Sequence, residues 1–150
     1  MQIAQRLYQG VDIEGETTGL ITYMRTDGTN ISKEAIENFR KFIIEDYSNK
    51  YLPDSPNSYT GKKAKNAQEA HEAIRPTEIS RNPESLKKYL SSDQYKLYNL
   101  IWSRALSSQM ESAKFDRKTI TITSKNSENI FKASGSVLKF DGYLKLTNIE

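Results

Sequence analysis

Gly19-Leu20-Ile21-Thr22-Tyr23-Met24-Arg25-Thr26-Asp27-Gly28 reads as a short strand that runs into a loop. Side chains on a strand alternate between its faces. Leu20, Thr22 and Met24 are therefore expected on one face, and Ile21, Tyr23 and Arg25 on the other. That pattern puts a phenol and a guanidinium side by side. A tyrosine hydroxyl can act as a nucleophile and carry a covalent intermediate. An arginine beside it can grip a phosphate through two hydrogen bonds and stabilise charge as it develops. Spacing alone does not single out Tyr23, because the chain has nine tyrosines and such amphipathic rings ordinarily pack half-buried.

Upstream, Ile3, Ala4, Leu7 and Tyr8 recur at helical spacing and predict the last turns of a helix over residues 1–8. Residues 9–19 hold glycines and threonines and read as a loop. Downstream, Ser32 is a good N-cap and Glu34 falls in a first turn, where negative charge is favoured. Ala35, Ile36, Phe39, Ile43, Ile44 and Tyr47 then predict an amphipathic helix over 33–48. Its N-terminal amides would lie near the Tyr23 loop, a setting that favours phosphate, although a well-capped core helix explains the same residues.

Residues 49–66 form a long polar stretch with Pro53, Pro56, Asn57 and Gly61. Loops of this length are uncommon inside a compact domain unless functional or mobile. Lys62, Lys63 and Lys65 make its one clear basic cluster, readable as a nucleic-acid contact or as a solvated loop. Next comes Gln68-Glu69-Ala70-His71-Glu72-Ala73-Ile74-Arg75-Pro76-Thr77, with the only histidine of the chain. One helical turn is expected near 67–71, then an extended run into Pro76, because the residue before proline avoids helix. A lone histidine is more often structural than catalytic, but Glu69, Glu72 and Arg75 surround His71 with charge, which raises the weight of a functional role. Glu69 and Glu72 do not share a helix face with His71, which argues against a metal site.

Asn82-Pro83 opens a short helix through about Leu90, with proline at its first position. Ser92 and Asp93 are expected to cap a helix over 93–108, whose apolar face holds Tyr95, Leu97, Tyr98, Ile101, Trp102, Ala105 and Leu106. Trp102 reads as core, with base stacking the sharper alternative. From about residue 111 the pattern changes. Lys118–Thr123 alternates, Asn129–Ser136 offers a second strand, and Lys125-Asn126-Ser127 joins them as a hairpin. A third strand is expected after Asp141-Gly142. The predicted class is α+β, with a mainly helical unit over 1–110 and strands over 111–150.

Composition narrows the functional classes. The 150 residues carry 22 basic and 19 acidic side chains, a net charge of +3, which permits a polyanionic partner without demanding one. The chain has no cysteine, so it has neither disulfides nor a zinc-cysteine site, as suits a reducing cytoplasm. No apolar run is long enough to span a membrane, and no apolar core of a signal peptide appears near the start.

The two segments Ile21-Thr22-Tyr23-Met24-Arg25-Thr26-Asp27 and Gln68–Thr77, in this order, closely resemble the bacterial type IA DNA topoisomerases. Weaker likeness runs through Tyr51-Leu52-Pro53, Leu100-Ile101-Trp102 and Val137–Gly142. The resemblance implies a winged-helix or CAP-like tyrosine domain followed by the first strands of a β-rich gate domain. It implies that Tyr23 attacks one DNA strand and holds its 5′ end as a phosphotyrosine, without ATP. Arg25 and His71 would bind the scissile phosphate, Asp27 would contact a neighbouring domain, and Arg75 would serve structure or the DNA backbone. The resemblance places the acidic Toprim domain, with its Mg²⁺ ligands, outside this sequence, so no metal is expected on these residues. An isolated fragment is then expected to be inactive, since a free phenol, with a pKa of about 10, is a weak nucleophile at neutral pH. Single-stranded DNA would be the partner, in the cytoplasm, with oligomeric state undetermined. Gly28 stands where many relatives have serine. The competing class is a non-catalytic single-strand-binding module in which Tyr23 stacks on a base.

Overall fold

A computed structural model describes residues 1–59, 71–126 and 128–147. In chain order it contains helix α1 (Gln2–Gln9), strands β1 (Val11–Ile13) and β2 (Glu16–Thr18), and helices α2 (Lys33–Tyr47), α3 (Pro83–Leu86) and α4 (Ser92–Ser108). Strands β3 (Lys114–Thr123) and β4 (Ile130–Phe140) follow. Short 3₁₀ helices cover Asn49–Tyr51 and Gly142–Lys145. The class is α+β, as predicted.

The core is built by the helices. Leu7 of α1, Phe39 and Ile43 of α2, and Tyr98, Trp102 and Leu106 of α4 meet Leu20, Ile21, Ile79 and Leu86. α2 starts as its sequence predicts: the Ser32 hydroxyl accepts from the Ala35 amide. α4 starts one residue earlier than expected. Ser91 is its N-cap, and Gln94 bonds back to the Ser91 amide to complete a capping box. Trp102 is core, its indole N–H donating to the Ile79 carbonyl at 2.9 Å. α3 is capped by Asn82 with Pro83 in the first turn, but it ends at Leu86 rather than Leu90.

Residues 9–19 are not a plain loop. β1 and β2 pair antiparallel, Val11 with Thr18 and Ile13 with Glu16. Glu14 (φ 57°) and Gly15 (φ 89°) form the two-residue turn, the left-handed pair that matches hairpin twist. The Asp12 carboxylate accepts from the Gly15 amide at 2.9 Å and steadies it.

β3 and β4 form the expected hairpin, longer than the sequence suggests, with Ile120 opposite Ala133 and Ile122 opposite Phe131. The third strand expected after Gly142 is a 3₁₀ helix instead. Gly142 has φ +48°, and a Cβ there would lie 2.4 Å from the Glu111 carbonyl oxygen. The chain therefore folds back under Glu111, and the Tyr143 amide donates to that carbonyl at 2.9 Å. Tyr51 ties this junction to the helical unit, its hydroxyl donating to Asp141 at 2.8 Å.

Candidate active site

Leu20 and Ile21 are both buried, and Tyr23 and Arg25 are exposed. Strand-like alternation therefore begins only at Thr22. Local sequence missed this because the segment is covered on both sides. The Leu20 amide donates to the Leu7 carbonyl of α1 at 2.8 Å, and Ile21 bridges Pro76. No regular strand forms beyond that bridge.

The second motif segment is laid against the first. The Thr22 amide donates to the Arg75 carbonyl at 2.9 Å, and the Thr77 amide donates to the Leu20 carbonyl at 3.0 Å. The Thr22 hydroxyl donates to the Ala73 carbonyl at 2.8 Å and accepts from the Arg75 amide at 3.0 Å. Residues 71–75 form no helix and bend at Ile74 before the bridge at Pro76. These bonds bring His71 to Tyr23 across a long stretch of sequence.

Three predicted residues converge. The Tyr23 and His71 rings lie edge to face, with centroids 5.5 Å apart and planes at 86°. Arg25 Nη1 lies 3.0 Å from His71 Nε2. A guanidinium can only donate, so Nε2 is the acceptor in this contact. Asp27 Oδ2 sits 3.0 Å from Arg25 Nε and holds the guanidinium from its other edge. The Arg25 side chain is 57% exposed, leaving it open to a phosphate.

Arg75 is occupied within the chain. Its Nε and Nη2 donate to the Glu72 carboxylate at 2.7 and 3.1 Å, and Nη1 donates to the Pro76 carbonyl at 3.0 Å. Glu72 Oε1 also accepts from the Ser32 amide at 2.8 Å. The N-terminus of α2 is thus near the site, as expected, but a carboxylate of this chain already meets its capping amide. Burial pushes the Glu72 carboxyl up, yet bonds from Arg75 and Ser32 and the Arg75 charge hold it below the usual carboxylate range.

Lys62, Lys63 and Lys65, and most of the turn expected near 67–71, lie outside the described residues. Among the described residues, no group of three or more His, Cys, Asp or Glu side chains is placed to hold a metal ion. The carboxylates of the site, Asp27 and Glu72, are each paired with an arginine and form no ligand set for Mg²⁺ among the described residues.

Sequence reasoning missed two contributors. Tyr8 of α1 packs its ring against Tyr23, with centroids 5.3 Å apart, and the Thr22 hydroxyl stitches the two segments together. Tyr8 was visible only as one residue of a helix face. Gly28 has a cause that the sequence did not show: a Cβ there would lie 1.5 Å from the His71 carbonyl oxygen.

The family model described as DNA topoisomerase matches residues 1–150. The chain is 56% identical over 146 residues to DNA topoisomerase 1 of Rickettsia felis, covering 97% of this chain and 19% of that protein. It is 50% identical over 146 residues to DNA topoisomerase 1 of Helicobacter pylori, with the same coverage. Full-length topoisomerase I from Thermotoga maritima superposes with a TM-score of 0.83 at 39% identity, over 100% of this chain and 23% of that one. The chain spans about a fifth of the length of these relatives, and it belongs to the bacterial type IA DNA topoisomerase family.

Proposed function

We propose that Tyr23 is the nucleophile of a DNA strand-cleavage reaction. The phenol oxygen attacks the phosphorus of a phosphodiester in one strand. A P–O(Tyr) bond forms as the bond to the 3′ oxygen breaks. The phenol proton is lost, and the departing 3′ oxygen takes one up. The 5′ end stays on Tyr23 while the other strand passes. The 3′ hydroxyl then attacks the same phosphorus and expels the phenol. One ester replaces another at each step, so ATP is not required, and negatively supercoiled DNA relaxes.

The observation that carries this reading is the convergence of Tyr23, Arg25 and His71 on one exposed surface. Arg25 supplies two hydrogen-bond donors and a fixed charge to the phosphate. His71 orients Arg25 through Nε2. Asp27 holds the guanidinium here and is assigned the contact with a neighbouring domain. Lys62, Lys63 and Lys65 are assigned to the DNA backbone, and Arg75 to support of the His71 segment through Glu72.

The helical unit over 1–110 is read as the winged-helix, CAP-like tyrosine domain, and 111–150 as the start of the gate. The change at Met110, the last residue of the buried cluster, supports that division. Mg²⁺ would be held by the Toprim domain outside these residues, and this segment alone is proposed to be inactive. The site of action is DNA in the cytoplasm.

Tyr23→Phe in the whole protein tests the proposal. It should abolish the covalent DNA adduct while single-stranded DNA still binds. An adduct that persists in the Phe variant refutes it. A wild-type protein that binds but never forms an adduct supports the stacking module instead, for which the 47% exposure of Tyr23 is the favouring observation.

A further inference from the structure

We infer that Tyr8 is a positioning residue for Tyr23, an inference that rests on Tyr23 being the nucleophile. Tyr23 sits outside any regular strand and is half-exposed. A phenol so placed would sample several rotamers, and only one directs its oxygen in line with a phosphate. The ring is flanked instead. Tyr8 meets it at 5.3 Å between centroids with planes at 64°, and His71 meets it at 5.5 Å and 86°. Both geometries fall in the favourable edge-to-face range for aromatic pairs. Holding a reacting group in its attacking orientation lowers the barrier by supplying that order before the reaction.

Tyr8 can do this because its backbone is fixed to the Tyr23 segment. Leu7 is fully buried, and its carbonyl accepts the Leu20 amide. A Cβ on Gly19 would lie 2.8 Å from the Tyr8 carbonyl oxygen, so glycine allows the approach of the two segments. The intervening residues leave and return through the paired ends of β1 and β2, Val11 against Thr18. The far tip of that hairpin is fastened too: the Tyr89 hydroxyl donates to Glu14 at 2.7 Å. α1 and the Tyr23 segment therefore form one frame, with the Tyr8 ring as its contact on the nucleophile.

The test uses the whole protein with Tyr8→Leu and Tyr8→Phe. Leucine keeps helix propensity and apolar bulk but removes the ring. Tyr8→Leu should slow single-turnover adduct formation by roughly threefold to tenfold, the effect of losing one aromatic pair. The DNA concentration for half-maximal rate should stay the same. Tyr8→Phe should restore the rate to within about twofold of the parent. A 3-fluorotyrosine at position 23 should shift its ¹⁹F resonance in Tyr8→Leu and keep it in Tyr8→Phe. An unchanged rate and resonance in Tyr8→Leu overturns the inference, as does equal slowing by both variants. If Tyr23→Phe still forms the adduct, the nucleophile assignment fails, whereas the ¹⁹F signal reports separately on whether Tyr8 holds the ring.

Discussion

Arg25 Nη1 donates to His71 Nε2 at 3.0 Å, although 45 residues separate the two in the chain. The pair is expected to act as a unit. Arg25→Ala and His71→Ala should each slow adduct formation, and the double variant should lose little more than the worse single one. The coupling expected for groups in direct contact is about 0.5–3 kcal/mol. Additive losses would show that the two residues work independently.

Glu72 joins the His71 segment to the start of α2, and its carboxyl is held below the usual carboxylate range despite burial. The folded pKa is therefore lower than the unfolded one. Stability from Glu72 is present above the unfolded value and is lost as pH falls through the folded value. Glu72→Gln should be less stable than the parent near neutral pH. The gap should close as the pH drops below the ordinary carboxylate range. Denaturant titrations at several pH values measure it, and a gap that is constant with pH would contradict this role.

Gly28 lets the His71 backbone approach more closely than any side chain permits. Gly28→Ala should push residues 71 and 72 outward, weaken the Arg25–His71 bond and destabilise the fold by about 1–3 kcal/mol, the usual cost of overpacking. Urea unfolding, together with the adduct rate, reads both effects. A neutral substitution would mean that the loop yields freely.

Trp102 fills the core and donates to the Ile79 carbonyl. Trp102→Phe should cost about 1–3 kcal/mol, because that buried acceptor loses its partner. Single-stranded DNA affinity of the folded fraction should not change. Weakened binding at intact stability would restore the base-stacking role.

The helices were legible because their periodicity and caps are local. Ser32, Asn82 and the apolar spacing of α2 and α4 all point the same way. The β1–β2 hairpin was not, since Glu14 takes a left-handed conformation usually marked by asparagine or glycine. The third strand failed on contact with Glu111, which no nearby residue announces. In the site, Tyr23, Arg25 and His71 could be named from their motifs, but their meeting depends on the Ile21–Pro76 bridge and the Thr22 bonds. Tyr8 and Gly28 took on meaning only once those long-range pairings had formed.

The most direct test is to trap the covalent adduct on single-stranded DNA with the whole protein, digest it, and map the modified peptide by mass spectrometry. A 5′-phosphoryl nucleotide on the oxygen of Tyr23 is the expected product. Attachment at any other residue would contradict it.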